Sequence, residues 1–262
     1  MSQRRPNRRE ERSHARTKAQ QQEAIKVRRR RLMMMVSAVL VIAVATVSIV
    51  IAVNNSGSDD DPTAPSPLGT AVFEGIPSSG TTLGNPDAKV TVVEYADYQC
   101  PYCANFANQN ESQLITDFVK TGQIKYEFEP MPIISQLPLT NPENESVLAA
   151  QASLCAVDQG KFWSFHQLLF SKWTGENVGT FTSANLITYA SQGGLDVTTF
   201  TTCLDSNKYQ QTVVDSHDQG IKDGVQGTPT FIINGTVVTL TTSGYDKLKS
   251  QIQDAIDGKP IQ

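Results

Sequence analysis

The chain has 262 residues, enough for one large domain or two small ones, and a formal net charge of −4. The charge is divided unevenly: residues 1–31 hold twelve Arg or Lys against three Glu, or +9, which leaves −13 on residues 32–262. This uneven distribution indicates that residues 1–31 and the rest of the chain face different surroundings.

An apolar stretch, residues 32–53, follows the basic leader. Its 22 residues include no charge, Gly or Pro, and a helix of that length spans about 33 Å, enough to cross the hydrocarbon core of a bilayer. Because Arg28–Arg31 precede it, we predict a single-pass signal-anchor in the cell membrane, with a cytoplasmic N-terminus and the residues after Val53 outside. A cleaved signal peptide is the alternative, but the stretch is longer than usual and the sequence after Val53 is a poor cleavage site.

The segments on either side of this stretch are expected to be unstructured. Residues 1–31 lack apolar periodicity and interleaved aromatic residues, so a role in membrane topology is favoured over nucleic-acid binding. Residues 54–70 are rich in Ser, Asp, Pro and Gly, as in a linker. The remaining part, residues 71–262, is long enough for a globular domain with its own core.

The first part of this domain predicts a β-α-β unit. Residues 71–76 are a candidate edge strand, and the β-branched run Lys89–Tyr95 is typical of a buried central strand. Apolar residues at helical spacing predict a helix over Ala104–Lys120, which Gly122 ends. Gln123–Phe128 is the next predicted strand, so we expect a parallel pair with a right-handed crossover.

Residues from about 141 to 224 predict a block of helices without a strand. The predicted helices cover Asn141–Asp158, Lys161–Lys172, Ser183–Gln192, Val197–Leu204 and Asn207–Gly224. After this block, Asn234-Gly235 between Thr230–Ile233 and Thr236–Leu240 predicts a β-hairpin, and Ser243–Asp257 predicts a final amphipathic helix. The predicted fold class is α/β, with a helical insertion between a β-α-β half and a β-β-α half.

The motif with the most chemical content is Cys100-Pro101-Tyr102-Cys103, which follows the predicted central strand. Its first cysteine is expected at a helix N-terminus, where partial positive charge favours the reactive thiolate. A zinc site would need a second cysteine or histidine pair at ligand spacing, which the other cysteines and histidines do not supply. A purely structural staple is disfavoured because so short a loop restrains the unfolded chain little. The motif therefore indicates a redox-active pair that needs no metal or other cofactor.

Two motifs flank the predicted helical insertion. The first is EYADYQCPYC, residues 94–103, and the second is GTPTFIING, residues 227–235. In this order around a helical insertion they resemble the DsbA-like branch of the thioredoxin superfamily, over roughly Thr81–Asp257. The resemblance implies a thioredoxin-like fold, here preceded by one transmembrane helix, and a protein-disulfide oxidoreductase that works by thiol–disulfide exchange.

The resemblance also assigns roles to individual residues. Cys100 corresponds to the exposed nucleophile of the family and Cys103 to the buried resolving cysteine. Pro229 corresponds to the cis-proline opposite the cysteine pair, and Thr228 to the residue whose backbone pairs with a bound substrate peptide. Glu94 corresponds to a buried acid that helps to move protons at the active site; a solvated residue at a sheet edge is the alternative.

The direction of exchange stays open at this point. The expected location outside the membrane favours an oxidase that introduces disulfides into secreted or surface proteins at Cys100–Cys103. The dipeptide Pro101-Tyr102 differs from the Pro-His of the best-known DsbA and equals that of glutaredoxins, so the resemblance does not fix the oxidising strength. The alternatives are a disulfide reductase or isomerase and, from another class, a thioredoxin-fold holdase that binds clients with little turnover.

Cys155 and Cys203 fall in two different predicted helices of the insertion. In an oxidising compartment we predict that they form a structural disulfide. Two buried, unpaired cysteines that act as small hydrophobic residues are the alternative.

An oxidase must be reoxidised after each turnover. The family resemblance and the predicted anchor at residues 32–53 imply an integral-membrane, quinone-coupled reoxidase, DsbB-like or similar to vitamin-K epoxide reductase. The other expected partners are unfolded or reduced secreted proteins, and no nucleic acid is expected.

Overall fold

A computed structural model describes residues 71–239 and 244–262 of the chain. The described strands are β1 (Ser78–Ser79), β2 (Thr82–Gly84), β3 (Val90–Ala96), β4 (Ile124–Pro130), β5 (Thr230–Ile233) and β6 (Thr236–Thr239). The described helices are α1 (Pro101–Gln109), α2 (Glu111–Leu114), α3 (Glu145–Val157), α4 (Phe162–Ser171), α5 (Ser183–Gln192), α6 (Val197–Asp205), α7 (Gln210–Lys222) and α8 (Gly244–Ile256), and a π-helical turn at Ile115–Val119 continues α2.

The predicted leader, anchor and linker, residues 1–31, 32–53 and 54–70, lie outside the described residues. Within the ranges that the structure does describe, every helix is too short or too polar to cross a bilayer.

The strands form one sheet in the order β1-β2-β4-β3-β5-β6. Strands β3 and β4 are parallel, and β5 pairs antiparallel with β3 on its other side. Helices α1 and α2 lie in the crossover between β3 and β4, and α3 to α7 lie between β4 and β5. This is the predicted order of a β-α-β half, a helical insertion and a β-β-α half.

Both faces of the sheet are covered, which explains the apolar character of β3. Val92 and Ala96 of β3 belong to the main core, which also includes side chains of α1, α4 and α8. Tyr95 points to the opposite face and packs with Met131 and Val225 in a smaller cluster beside α7. The carboxyl end of β3 therefore leads into α1 at one end of a sheet that is covered on both sides.

A disulfide joins Cys155 of α3 to Cys203 of α6, whose Cα atoms are 5.9 Å apart. Both residues are buried within the main core. The bond ties together two helices of the insertion that are 48 residues apart in sequence.

Two predicted elements differ most clearly from the structure. The edge strand expected at residues 71–76 is wrong: residues 71–73 form a 3₁₀ turn, and β1 and β2 form the sheet edge instead. Gly75, at φ 73°, turns the chain before it reaches the sheet. The helix expected over Ala104–Lys120 begins earlier, at Pro101, because proline is well suited to the first helical position, and it is interrupted at Asn110.

Gly84 allows β2 to approach β4 closely. It has φ +110°, and a Cβ atom there would lie 2.8 Å from the Ile124 carbonyl oxygen and 2.9 Å from Val119 Cγ1. We expect Gly84→Ala to lower the free energy of unfolding by about 2–4 kcal/mol, since it adds both backbone strain and overlap. The matched control is Gly80→Ala, at φ +60° with nothing within 4 Å, which should cost only about 1–2 kcal/mol. Urea unfolding compares the two, and equal losses would contradict the overlap.

Candidate active site

Cys100 caps the N-terminus of α1. Its backbone is extended, Pro101 occupies the first helical position, and the Cys100 carbonyl accepts a hydrogen bond from the Ala104 amide at 2.9 Å. Tyr102 is 74% exposed, whereas Cys103, in the first turn, is fully buried. The strand-to-helix connection thus places the first sulfur at the helix end and the second inside the domain.

The segment before β5 lies against the first cysteine. The Thr228–Pro229 peptide bond is cis, and Cys100 Sγ donates to the Thr228 carbonyl oxygen at 3.2 Å. Strand pairing accounts for this contact, because β5 runs beside β3 with Phe231 opposite Glu94. The two sequence motifs, far apart in the chain, therefore meet at one end of the sheet.

Cys100 is less exposed than the sequence resemblance implied. Only 2% of its surface is accessible, whereas an exposed nucleophile was expected. The contact between its sulfur and the Thr228 carbonyl explains the difference, because the segment before β5 lies over the thiol. A reacting thiolate must therefore reach the sulfur beside Thr228.

The two thiols have opposite acid–base properties. The hydrogen bond from Cys103, helped by the Thr228 side chain and the amides of Cys103 and Tyr102, lowers the pKa of Cys100 to about 7 against the effect of burial. Burial, followed by the neighbouring Cys100, raises the pKa of Cys103 well above its usual value. The thiolate, which is the reactive form, is thus favoured at Cys100 and disfavoured at Cys103.

Glu94 lies in the sheet beneath the cysteine pair and is 1% exposed, unlike a solvated edge residue. The Tyr126 hydroxyl donates a hydrogen bond to its Oε2 atom. Burial first, and the nearby charge of Glu111 second, raise the pKa of Glu94 well above its usual value, against the lowering effect of Tyr126. The buried position therefore disfavours the charged form of the Glu94 carboxyl group.

A thioredoxin family profile matches residues 78–254, more than half of the chain. Disulfide bond formation protein D of Bacillus subtilis is 31% identical over 180 residues, which cover 68% of this chain and 77% of that protein. The crystal structure of oxidised BdbD from Bacillus subtilis superimposes with a TM-score of 0.60 at 30% identity, over 68% of this chain and 94% of that one.

The chain belongs to the DsbA-like disulfide oxidoreductases of the thioredoxin family.

The α/β thioredoxin-like fold with its helical insertion is thereby confirmed. This DsbA-like chain also matches part of a longer protein, Na(+)/H(+) antiporter NhaA 1 of Salinispora arenicola, at 35% identity over 159 residues. That match covers 61% of this chain but only 22% of the antiporter, so the chain spans about a fifth of that relative's length.

The residues just before Cys100 connect the DsbA-like site to the rest of the domain, and the sequence did not reveal them. Asp97 accepts hydrogen bonds from the amides of Gln99, Ile133 and Ile134 at 2.7–2.8 Å. Gln99 bonds through its side chain to Ser146 at 2.9 Å, and its carbonyl accepts from the Trp173 indole at 2.7 Å. These contacts fix the start of α1 against the helical insertion.

Glu111 and His166 were also missed as parts of the site. His166 is fully buried in α4 and lies 3.0 Å from Glu111 and 3.1 Å from the Tyr98 hydroxyl. One signal was present in the sequence: a histidine among the apolar residues that recur at helical spacing in α4. The described residues contain no cluster of three or more His, Cys, Asp or Glu that could hold a metal ion.

The lowered pKa of Cys100 predicts its reactivity. The rate at which iodoacetamide alkylates Cys100 in the reduced chain should rise with pH, because the rate is proportional to the thiolate fraction. The rate should reach half of its plateau value near pH 7. Mass spectrometry of the pH series should find Cys100 modified and Cys103 untouched. A midpoint near 9, the ordinary value, would contradict the prediction, and the urea-denatured chain provides that reference.

Proposed function

We propose that this chain is an extracytoplasmic oxidase that introduces disulfides into secreted or surface proteins by exchange at Cys100–Cys103. The observation that carries the proposal is the opposite bias of the two thiols, with the pKa of Cys100 lowered to about 7 and that of Cys103 raised. A stabilised Cys100 thiolate favours the reduced enzyme, so the oxidised enzyme gives up its disulfide readily. The Cys155–Cys203 disulfide is consistent with an oxidising compartment.

Two exchange steps transfer the disulfide. A client thiolate attacks Cys100 Sγ, the Cys100–Cys103 bond breaks, and Cys103 leaves as a thiolate that takes up a proton. A second client thiolate then attacks the client sulfur of the mixed disulfide and releases Cys100 as a thiolate. The client loses two electrons and gains a disulfide, and the enzyme keeps the two electrons as a reduced cysteine pair.

The Thr228–Pro229 segment is proposed to align the client. The Thr228 carbonyl lies 3.2 Å from Cys100 Sγ, so a peptide that pairs with this backbone would hold its own sulfur beside the reacting atom. Such positioning lowers the entropic cost of bringing two sulfurs together. Tyr102, exposed at the start of α1, offers an apolar surface next to the same place.

The oxidising strength is proposed to be intermediate. A Cys100 pKa of about 7 is similar to that of thioredoxin and well above the value of about 3.5 in DsbA. This comparison predicts a reduction potential below that of DsbA, about −120 mV, and the oxidase proposal requires in addition that the potential lie above that of thioredoxin, about −270 mV.

The proposed location and partners follow from the family and from residues 32–53. That stretch would anchor the chain in the cell membrane with the N-terminus in the cytoplasm and the active site outside. An integral-membrane, quinone-coupled reoxidase would remove the two electrons. Trapping thiols with an alkylating reagent in living cells tests this arrangement: a mostly oxidised Cys100–Cys103 pair supports it, and a mostly reduced pair indicates a reductase or isomerase.

Oxidation of reduced ribonuclease tests the activity. The oxidised full-length chain should restore ribonuclease activity stoichiometrically, and catalytically when a chemical oxidant regenerates it. Equilibration with glutathione gives the reduction potential in the same preparation. No transfer of oxidising equivalents, or a potential as low as that of thioredoxin, would reject the oxidase.

A further inference from the structure

Gln99, the residue just before Cys100, is a fully buried polar residue. Its side-chain amide donates to Ser146 Oγ at 2.9 Å and to Asn177 Oδ1 at 3.3 Å, and its side-chain oxygen accepts from the Asn177 backbone amide. Its backbone carbonyl accepts from the Trp173 indole at 2.7 Å. A buried polar group with all of these partners restricts the chain around it to one arrangement.

All three partners of Gln99 belong to the helical insertion. Ser146 lies in the first turn of α3, and Trp173 and Asn177 lie in the connection between α4 and α5. Asn177 has a φ of 53°, in the left-handed region that asparagine tolerates better than most residues. In this conformation both its amide and its side-chain oxygen contact Gln99. The insertion therefore holds the residue that precedes the reactive cysteine.

The connection between α4 and α5 is itself fixed to the insertion. Glu145, the first residue of α3, accepts hydrogen bonds from the amides of Gly179 and Phe181 at 2.9 and 2.7 Å. The hydroxyl groups of Thr174 and Thr180 bond to each other across the same connection. The partners of Gln99 therefore belong to a frame with its own hydrogen bonds.

The peptide unit between Gln99 and Cys100 is held from two sides. Its oxygen accepts from the Trp173 indole of the insertion, and its N–H, that of Cys100, donates to the Asp97 carbonyl at 3.0 Å, just after β3. Because a peptide unit is planar, these two bonds together fix its orientation. Cys100 makes no side-chain capping bond, so the direction of its side chain follows from this peptide unit and from the start of α1.

The direction of the Cys100 side chain determines the state of its sulfur. The pKa of Cys100 is lowered by the Cys103 thiol, by Thr228 and by the amides of Cys103 and Tyr102. Each of these hydrogen bonds depends on distance and angle, so each acts only while Sγ lies at the end of α1. The titratable groups that face Cys100 are Cys103 from α1 and Glu94 from β3.

We propose that the helical insertion tunes the reactivity of Cys100, with Gln99 and Trp173 as positioning residues that hold the Gln99–Cys100 peptide so that the sulfur stays at the end of α1. Both residues act through the backbone. If this peptide were loosened, Sγ would move away from its hydrogen-bond donors and the thiolate would lose stabilisation. This role concerns the thiol itself, so it applies to either direction of exchange and goes beyond the proposed oxidase function.

Two variants of the reduced full-length chain in detergent test the contacts separately. Trp173→Phe keeps an aromatic ring packed against the main core and removes the indole N–H that bonds the Gln99 carbonyl. Gln99→Met keeps the length of the side chain and removes its amide. Neither changes a charge. Each should raise the pH midpoint of Cys100 alkylation above the wild-type value near 7 by about half a unit to one unit, a threefold to tenfold loss of thiolate stabilisation.

Equilibration with glutathione gives a second measurement. A variant whose midpoint is one unit higher loses stabilisation of its reduced form only where Cys100 is ionised. Its equilibrium constant should therefore fall below that of the wild type by about twofold at pH 7 and by almost tenfold at about pH 9, and tenfold corresponds to about 30 mV. A variant that was merely less stable would not show a difference that grows with pH.

Gln151→Met is the matched control. Gln151 is another buried glutamine of α3, and its side-chain amide donates to Gln210 at 3.0 Å. Urea unfolding should show a loss of stability comparable to that of Gln99→Met, whereas the alkylation midpoint should equal that of the wild type. Trp173→Phe decides the case if Gln99→Met does not fold, because Trp173 is only partly buried.

A Trp173→Phe midpoint no higher than that of Gln151→Met overturns the proposal, and so does a shift of equal size in all three variants. Neither measurement uses a client protein. A failure to oxidise ribonuclease would therefore reject the oxidase function and leave the role of Gln99 and Trp173 to be judged separately.

Discussion

Cys100→Ser is expected to lower ribonuclease oxidation by at least about a thousandfold, to the uncatalysed rate, because the attacked sulfur is removed. Folding should survive. Cys100 caps α1 through its backbone and makes no side-chain capping bond, and serine is among the preferred N-cap residues. A serine hydroxyl can also donate to the Thr228 carbonyl that Cys100 Sγ contacts. Circular dichroism and urea unfolding of the reduced proteins would separate loss of chemistry from loss of fold.

Cys103→Ser is the matched partner of this variant. It keeps Cys100 and its position at the helix end, but no buried thiol can resolve an intermediate. The variant should therefore accumulate mixed disulfides with disulfide-containing clients, visible as high-mass species on non-reducing gels, whereas Cys100→Ser should form none. If Cys100→Ser still oxidised ribonuclease, the reacting sulfur would be assigned wrongly. If the wild type showed no turnover and Cys100→Ser still bound clients, the holdase hypothesis would be correct.

Local sequence signals were sufficient for most of the scaffold. The β-branched run of β3 and the Asn234-Gly235 turn are strong short-range patterns, and β3, β5 and α5 lie where they were expected. The sheet edge was not predictable in the same way, because β1 and β2 have only two and three residues. Strands this short have no periodicity to detect, and pairing with β4 stabilises them.

The sequence predicted the part of the site whose chemistry depends on residues close together in the chain. The spacing of Cys100 and Cys103 indicates redox chemistry on its own. The Glu111–His166 pair does not follow from spacing, because α2 and α4 are separated by β4 and α3 and are brought together only by packing. The low exposure of Cys100 could not be predicted from local sequence either, because it depends on a contact with Thr228, which lies 128 residues further along the chain.

Removing the Cys155–Cys203 disulfide is expected to lower the free energy of unfolding by about 4 kcal/mol, because the bond closes a loop of 48 residues and its loss frees the unfolded chain. The variant Cys155→Ala/Cys203→Ala, unfolded in urea beside the wild type, gives the value. Both positions are buried, so small cavities add to the loss. A loss of unfolding free energy below about 1 kcal/mol would mean that residual structure already limits the conformational freedom of the unfolded insertion when the disulfide is absent.

The same variant should leave the active site unchanged. Ser146, which bonds to Gln99 beside the active site, lies in the first turn of α3, whereas Cys155 lies about 13 Å further along that helix. The bond therefore supports the far end of the insertion, and the segment that fixes Cys100 retains its own hydrogen bonds. The alkylation midpoint of Cys100 should stay near pH 7 although the domain unfolds at lower urea concentration. A shifted midpoint would show that the insertion transmits strain along α3 to the reactive sulfur.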